Sequence, residues 1–320
     1  MNQPLVTIWM PTFNHELFIA KAIESALFQG YENVEVLVGD DCSTDATWSI
    51  VSEYIKKFPY KVKGYRNDSN QGITSNCNKM LDYVSGNYIA FSSGDDLILK
   101  GRLEKQVQWF LKNPESVLCS SGVKVVDFES NRDLGVFHDK DFVNKSAPWK
   151  IFMQKNQLAG TRFMINWDKS KHLRFDYRTP VVSDWLFFNE AVLIGPYGAI
   201  EDVGAIYHRH SGNTTARGIK KAYLDDRLIA TDILFSKYGK YYFSMRVQRS
   251  HIYYFAARRY LADYDIKSAL KFSFFSIMEA PLCASKAWIM LPILIMLSLG
   301  VDFIKYYDKY KHVINKIKGH

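Results

Sequence analysis

Residues 5–10 (LVTIWM) form an unbroken apolar run that stops at Pro11, the pattern of a strand buried on both faces. Ile19, Ile23, Ala26 and Leu27 then recur at helical spacing until Gly30. A second apolar run, Val34 to Val38, empties into Gly39-Asp40-Asp41. Ser43 and Asp45 are placed to cap a following helix whose apolar face is Ile50, Val51, Tyr54 and Ile55. A shorter strand near Val62–Tyr65 leads to the polar turn Asn67–Gly72. Another helix ends near Gly86, and Tyr88–Phe91 reads as a strand that empties into Ser93-Gly94-Asp95-Asp96.

Strand and helix therefore alternate through the first hundred residues, which predicts an α/β fold with a mainly parallel sheet flanked by helices. In such sheets ligands bind beyond the carboxyl ends of the strands. Thr12, Asn14, Asp40, Asp41, Asp95 and Asp96 all follow predicted strand ends, so polar and acidic residues collect on one rim. After about residue 215 the strand signals fade. Helical patterns follow over Lys220–Lys237, Tyr242–Asp263 and Ile266–Glu279, rich in Tyr and Phe. The expected organisation is a first domain over 1–215, itself divided near 126, and a helical appendage over 216–320.

Composition adds limits to this picture. Hydrophobic residues at 48% and charged residues at 23% describe a folded protein and set aside disorder and coiled coil. Cys42, Cys77, Cys119 and Cys283 are scattered with no CxxC pair, which argues against a zinc site or disulfide framework and for a reducing compartment. The net charge of +8 would suit nucleic acid, anionic lipid or a phosphorylated ligand. The basic residues do not interleave with aromatics on one predicted strand face, so a nucleic-acid-binding module is not expected.

Two adjacent carboxylates at a strand end are costly unless a cation neutralises them, and a divalent metal with a diphosphate is a natural partner for Asp95-Asp96. The order of the surrounding segments resembles glycosyltransferase family 2, over roughly residues 4–215. Pro11-Thr12-Phe13-Asn14 looks like its P-T/S-Y/F-N opening. Asp40-Asp41-Cys42-Ser43-Thr44-Asp45 is similar to its D-D-x-S-x-D segment, and Asn70-Gln71-Gly72 with Asn78 to its N-x-G and R-N elements. Asp95-Asp96 falls on its metal-binding acidic motif, Ser183-Asp184-Trp185 on its x-D-W element, and Tyr207–Thr214 on its late histidine segment.

The resemblance implies a GT-A fold and an inverting transfer from a nucleotide sugar, expected to be a UDP-sugar, to a hydroxyl of a glycan acceptor. It implies that Asp41 bonds the base, that Pro11, Thr12, Asn14 and Asn78 line the donor pocket, and that Asp95 contacts the ribose or the metal's water shell. Asp96, with His210, would hold Mn²⁺ or Mg²⁺, and Asp184 would be the general base. Three positions depart from the family's pattern: Cys77 and His208 stand where arginine is usual, and Gly94 where some members carry a third aspartate. A catalytically silent sugar-nucleotide binder is opposed by Asp41, Asp96 and Asp184 occurring together. A sugar nucleotidyltransferase is opposed by the lack of a glycine-rich phosphate loop at Met10–His15.

The segment 127–180 has little pattern, and its Trp149, Phe152 and Trp167 are assigned to the acceptor side by position alone. Residues 287–301 carry no charge but are interrupted by Pro292 and are short for a spanning helix. Between Asp302 and His320, five lysines accompany two aspartates. An apolar segment with a basic tail predicts peripheral contact with an anionic surface, and the competing expectation is a core helix. From the family and this tail follow a lipid-linked acceptor, a role in bacterial O-antigen or capsule synthesis, and a cytoplasmic place on the inner membrane face.

Overall fold

A computed structural model describes residues 3–138, 160–213, 220–239, 242–263 and 265–298. Trp149, Phe152, residues 299–301 and the basic tail lie outside the described residues. The described residues up to Asn213 belong to one compact unit and those from Lys220 onward to another.

The first unit is built on a nine-stranded sheet. Four strands, β1 (Val6–Thr12), β2 (Val34–Asp40), β3 (Val62–Arg66) and β4 (Tyr88–Phe91), pair in parallel in the order β3-β2-β1-β4. Helices α1 (Ile19–Leu27), α2 (Thr47–Lys57) and α3 (Ile73–Leu81) connect them. Beyond β4 the sheet becomes mixed. β5 (Leu97–Ile98), α4 (Arg102–Lys112), β6 (Leu118–Asp127), β7 (Arg132–Phe137), β8 (Phe163–Asn166), α5 (Trp167–Ser170), α6 (Ser183–Ile194) and β9 (Tyr197–Arg209) complete the unit. β8 runs antiparallel between β4 and β6, whereas β6 and β9 run parallel. The parallel half matches the pattern expected from the sequence, and the antiparallel insertion qualifies it.

Alternation along the central strands explains the two layers. Val6, Ile8 and Met10 of β1, with Val34, Val36 and Val38 of β2, pack against Ile19, Ala22 and Ile23 of α1 and against Leu103, Val107 and Phe110 of α4. Trp9 and Phe91 point to the other face. There Trp9 stacks on Phe175 with centroids 5.6 Å apart, and Phe175 stacks on Phe187 at 4.3 Å. Each such buried side chain contributes about 1.5–3 kcal/mol. Helix α6 is buried from Trp185 through Leu193, as a helix apolar on every side must be. Asp184 is its one exposed residue, between buried Ser183 and Trp185.

In the second unit, α7 (Lys220–Lys237), α8 (Tyr242–Ala262) and α9 (Ile266–Glu279) fall where the helical patterns placed them, and α10 (Ser285–Ser298) follows. Ala287, Met290 and Leu294 of α10 are buried with Tyr254, Ala257, Ala269 and Ile277. The opposite side of α10 leaves Trp288, Ile289 and Ile295 51%, 52% and 45% exposed, and Leu282 just before it is 97% exposed. The segment thus has a core face and an apolar outer face. Among the described residues no helix is long and apolar enough to cross a membrane.

Candidate functional site

The rim at the carboxyl ends of β1, β2 and β4 is stapled from loop to loop. The Asp41 N–H donates to the Thr12 carbonyl at 3.0 Å, and the Gly94 N–H donates to the Pro11 carbonyl at 3.1 Å. Asn14 takes a left-handed conformation (φ 55°), which Asn tolerates better than most residues. Its N–H donates to Ser43 Oγ at 2.9 Å, and its Oδ1 accepts the Thr44 N–H at 2.8 Å. Cys42, on the facing loop, is also left-handed (φ 63°). The Pro11–Asn14 turn and the Asp40–Asp45 loop therefore form one framework, with Pro11 and Thr12 buried within it.

The expected capping at α2 is realised in part. Asp45 Oδ1 accepts the Thr47 N–H at 3.0 Å, although the cap position itself is Ala46. Ser43 instead serves Asp40, donating both its N–H and its hydroxyl to that buried carboxylate. Arg66 lies 3.4 Å from Asp40, yet burial dominates and raises the Asp40 pKa.

Asp41 is buried and caps no helix. Its Oδ1 accepts from Asn67 Nδ2 and from the Gln71 N–H, both at 2.9 Å. The Gln71 N–H is delivered by the turn before α3, where Gly72 adopts φ +82°, a conformation that favours glycine. Asn78 is spent elsewhere. Its Nδ2 donates to the Phe175 carbonyl and its Oδ1 accepts the Phe175 N–H, both at 2.8 Å, so it clamps α3 to the segment that precedes α6. Thr74 and Ser183 join the same two elements through their hydroxyls, 3.2 Å apart. Cys77 of α3 is buried. Burial raises its thiol pKa, and the charges of Asp184 and Asp41 raise it further. One oxygen of Asp184 accepts the Trp185 N–H at 2.7 Å, as a first-turn carboxylate can.

The acidic pair is buried, and its two members are treated differently. Asp95 Oδ2 sits 3.1 Å from His210 Nε2, 3.3 Å from Asn213 Nδ2 and 3.7 Å from His15 Nε2. Burial works to raise the Asp95 pKa, but the His210 hydrogen bond and the His15 ring outweigh it and hold the carboxyl down to about 2. Asp96 Oδ1 accepts the His208 N–H at 3.1 Å, and the His208 Nδ1–H donates to the Asp95 carbonyl at 2.6 Å. Burial, then the charge of Asp95, pushes the Asp96 carboxyl well above the usual range. His208 and His210 are thus tied to the acidic segment by the end of β9, and His210 is not a surface histidine, since its side chain is 8% exposed.

A pair in which one carboxylate is driven toward its neutral form lacks positive charge, and a hard dication fits that deficit. Among the described residues, no group of three His, Cys, Asp or Glu side chains converges to hold a metal alone. A cation at this pair would have to share the carboxylates with phosphate oxygens and water. His210 could join them only by releasing Asp95.

Sequence reasoning overlooked His15, Asn213, Asn67 and Asn76. Their partners come from distant strands, and no spacing announces them. Gly94 carries the one available signal. A Cβ there would lie 2.5 Å from Thr12 Oγ1 and 2.9 Å from His15 Nδ1, so the imidazole occupies the room a longer side chain at position 94 would need.

Comparison with known proteins identifies the family. The profile described as "Glycosyl transferase family 2" matches residues 7–169. An uncharacterized glycosyltransferase of Haemophilus influenzae is 33% identical over 175 residues, 55% of this chain and 67% of that protein. The Escherichia coli UDP-Glc:alpha-D-GlcNAc-diphosphoundecaprenol beta-1,3-glucosyltransferase WfgD is 39% identical over 113 residues, 35% of this chain and 44% of that protein. The chain thus spans two thirds of the first relative's length and under half of the second's. In fold it is similar to Staphylococcus aureus TarS 1–349, solved with UDP-GlcNAc, at TM-score 0.64 and 16% identity over 93% of this chain and 88% of that one. It is also similar to the Pyrobaculum calidifontis mannosyltransferase PcManGT, solved with GDP-Man and Mn²⁺, at TM-score 0.55 and 17% identity over 99% and 85% of the two chains. With the family profile covering just over half of the chain, on the fold and rim described above, this protein belongs to glycosyltransferase family 2.

Proposed function

We propose that this chain is an inverting, metal-assisted glycosyltransferase that moves a hexosyl or N-acetylhexosaminyl group from a UDP-sugar to a hydroxyl of a lipid-linked glycan. The observation that carries the reading is the gathering of Asp41, Asp95, Asp96 and His210 on one rim, at the ends of β2, β4 and β9. WfgD, by its name, uses UDP-Glc and a diphosphoundecaprenol-linked acceptor, which supports a lipid-linked substrate in bacterial surface-polysaccharide assembly. In this reading residues 1–215 are the catalytic domain and 216–320 the appendage.

Asp41 bonds the base, and the Pro11–Asn14 turn walls the same pocket. Asn78 serves that pocket as a clamp, positioning α3 through Phe175. Asp96, with His210 after it leaves Asp95, holds Mn²⁺ or Mg²⁺. When bound, that cation stabilises the charge that develops on the departing diphosphate. Asp95, kept ionised, faces the ribose or the metal's water shell. Asp184 takes the proton of the acceptor hydroxyl as that oxygen forms its bond to the anomeric carbon. The bond to the diphosphate breaks on the opposite face, so configuration inverts.

A screen of nucleotide sugars with Mn²⁺ tests the reading. Release of UDP from one UDP-sugar is expected, rising on addition of an acceptor glycan. Binding of a UDP-sugar with no turnover under any acceptor would instead identify a catalytically silent binder.

The appendage adds a peripheral contact with the inner face of the cytoplasmic membrane, supported by exposed Leu282, Trp288, Ile289 and Ile295. Deleting 287–318 would remove Ala287, Met290 and Leu294 from a packed core, so substitution is the sharper probe. The full chain should co-float with vesicles containing anionic lipid, and a Trp288→Ser/Ile289→Ser variant should float about tenfold less while melting normally. Equal flotation of the two proteins would remove the outer face of α10 from the interface.

A further inference from the structure

Behind Asp41 stands a chain of side chains whose donor and acceptor ends are fixed. The Lys79 ammonium has only donors to offer, and it donates to Asn67 Oδ1 at 2.8 Å while lying over the Tyr65 ring, 4.4 Å from its centroid. The Asn67 amide is therefore set with Nδ2 toward Asp41 Oδ1 (2.9 Å) and Asn76 Oδ1 (3.2 Å). Asn76 is fixed in turn, since its Nδ2 donates to the Gly39 carbonyl at 2.8 Å and its Oδ1 accepts the Tyr65 hydroxyl at 3.0 Å. Asn67 and Asn76 are both buried.

The consequence falls on the two oxygens of Asp41. A carboxylate oxygen has two lone pairs, and those of Oδ1 are filled by Asn67 Nδ2 and the Gln71 N–H. Among the described residues Oδ2 takes no bond, and it is not sealed from solvent. Asp41 thus presents one acceptor oxygen. Uracil and thymine offer one ring N–H between two carbonyls, which matches a single acceptor. Guanine offers a ring N–H and an amino N–H side by side, a pair that satisfies both oxygens of a carboxylate at once.

We propose that Asn67, locked by Lys79, makes Asp41 a one-oxygen acceptor and so sets this protein to uridine or thymidine diphosphate donors over guanosine diphosphate donors. The inference rests on the assignment of the base to Asp41. Asn67 and Lys79 are positioning residues: they act through Asp41 and need not touch the donor. If Lys79 is lost, Asn67 loses the partner that anchors its Oδ1, and its hold on Asp41 Oδ1 loosens. If Asn67 is lost, a lone pair of Oδ1 opens and the second donor of guanine gains a partner.

Calorimetric titration of the full chain with UDP and with GDP, each with Mg²⁺, tests this. The unaltered protein should bind UDP more tightly. Asn67→Ala should narrow that preference about tenfold, the worth of one charge-assisted hydrogen bond, and Lys79→Met about threefold. A purely structural role would weaken both nucleotides and leave their ratio unchanged, so an unchanged ratio in both variants overturns the proposal, as does tighter GDP binding by the unaltered protein. Lys79 is exposed, so Lys79→Met carries the test if Asn67→Ala does not fold. Asp41→Asn separates the two levels. If it keeps UDP affinity and the UDP-to-GDP ratio, the base is not read by Asp41 and the underlying assignment fails. If it loses them while the other two variants do not, the relay alone is wrong.

Discussion

Asp184→Asn protein should bind donor normally and transfer sugar about 10²–10⁴ times more slowly, the usual cost of losing a general base. The substitution suits the local structure. The carboxamide oxygen can still accept the Trp185 N–H that Asp184 now accepts at 2.7 Å, so the first turn of α6 keeps its partner. The amide cannot take a proton from an acceptor hydroxyl. If Asp184 only supports the helix, the charge change costs up to about 1 kcal/mol of stability, and activity per folded molecule is unchanged. Donor affinity, melting temperature and transfer rate measured on one preparation separate these outcomes. Near-normal transfer by a folded Asp184→Asn protein would end the base assignment.

Asp96→Ala should lose donor affinity and rate together, with transfer falling about 10²–10³-fold, because the same cation serves binding and the departing diphosphate. Treatment with a chelator should produce the same phenotype in the unaltered protein and be reversed by Mn²⁺. Asp96→Asn is the control for packing, since it keeps an acceptor for the His208 N–H, now 3.1 Å from Oδ1. Burial and Asp95 already oppose the ionised form of Asp96. The neutral variant should therefore melt no lower than the unaltered protein while still failing to turn over donor. Full transfer activity in a metal-stripped preparation would remove Asp96 from the role given to it.

The parallel half of the sheet was legible because β1, β2 and β4 are short apolar runs that empty into Pro, Gly or acidic residues, while β3 (VKGYR) is mostly polar and was placed by the turn after it. The intervening helices repeat at their own period. β8 was not legible. Phe163–Asn166 gains its place only by pairing with β4 and β6, and four residues carry no signal of that. The same division holds at the rim. Asp41, Asp95, Asp96 and Asp184 could be placed from motif order, since each follows a strand end or opens a helix. The roles of Asn78 and His15 could not, because they depend on Phe175 and Asp95, far along the chain. For residues 287–298 the core-helix expectation holds on one face, while Trp288, Ile289 and Ile295 remain exposed on the other.

Gly94 ends the matter of the missing third aspartate in a way that bears on how such rims diversify. Any side chain at position 94 meets Thr12 first and His15 next, so a carboxylate arriving there would strain the turn after β1. Exchanging His15 alone does not open the position, because Thr12 Oγ1 and Cβ would still lie 2.5 and 2.8 Å from a Cβ at 94. A side chain can enter at position 94 only if the turn after β1 itself moves, so the first strand's loop, and not the acidic segment, keeps this rim at two carboxylates.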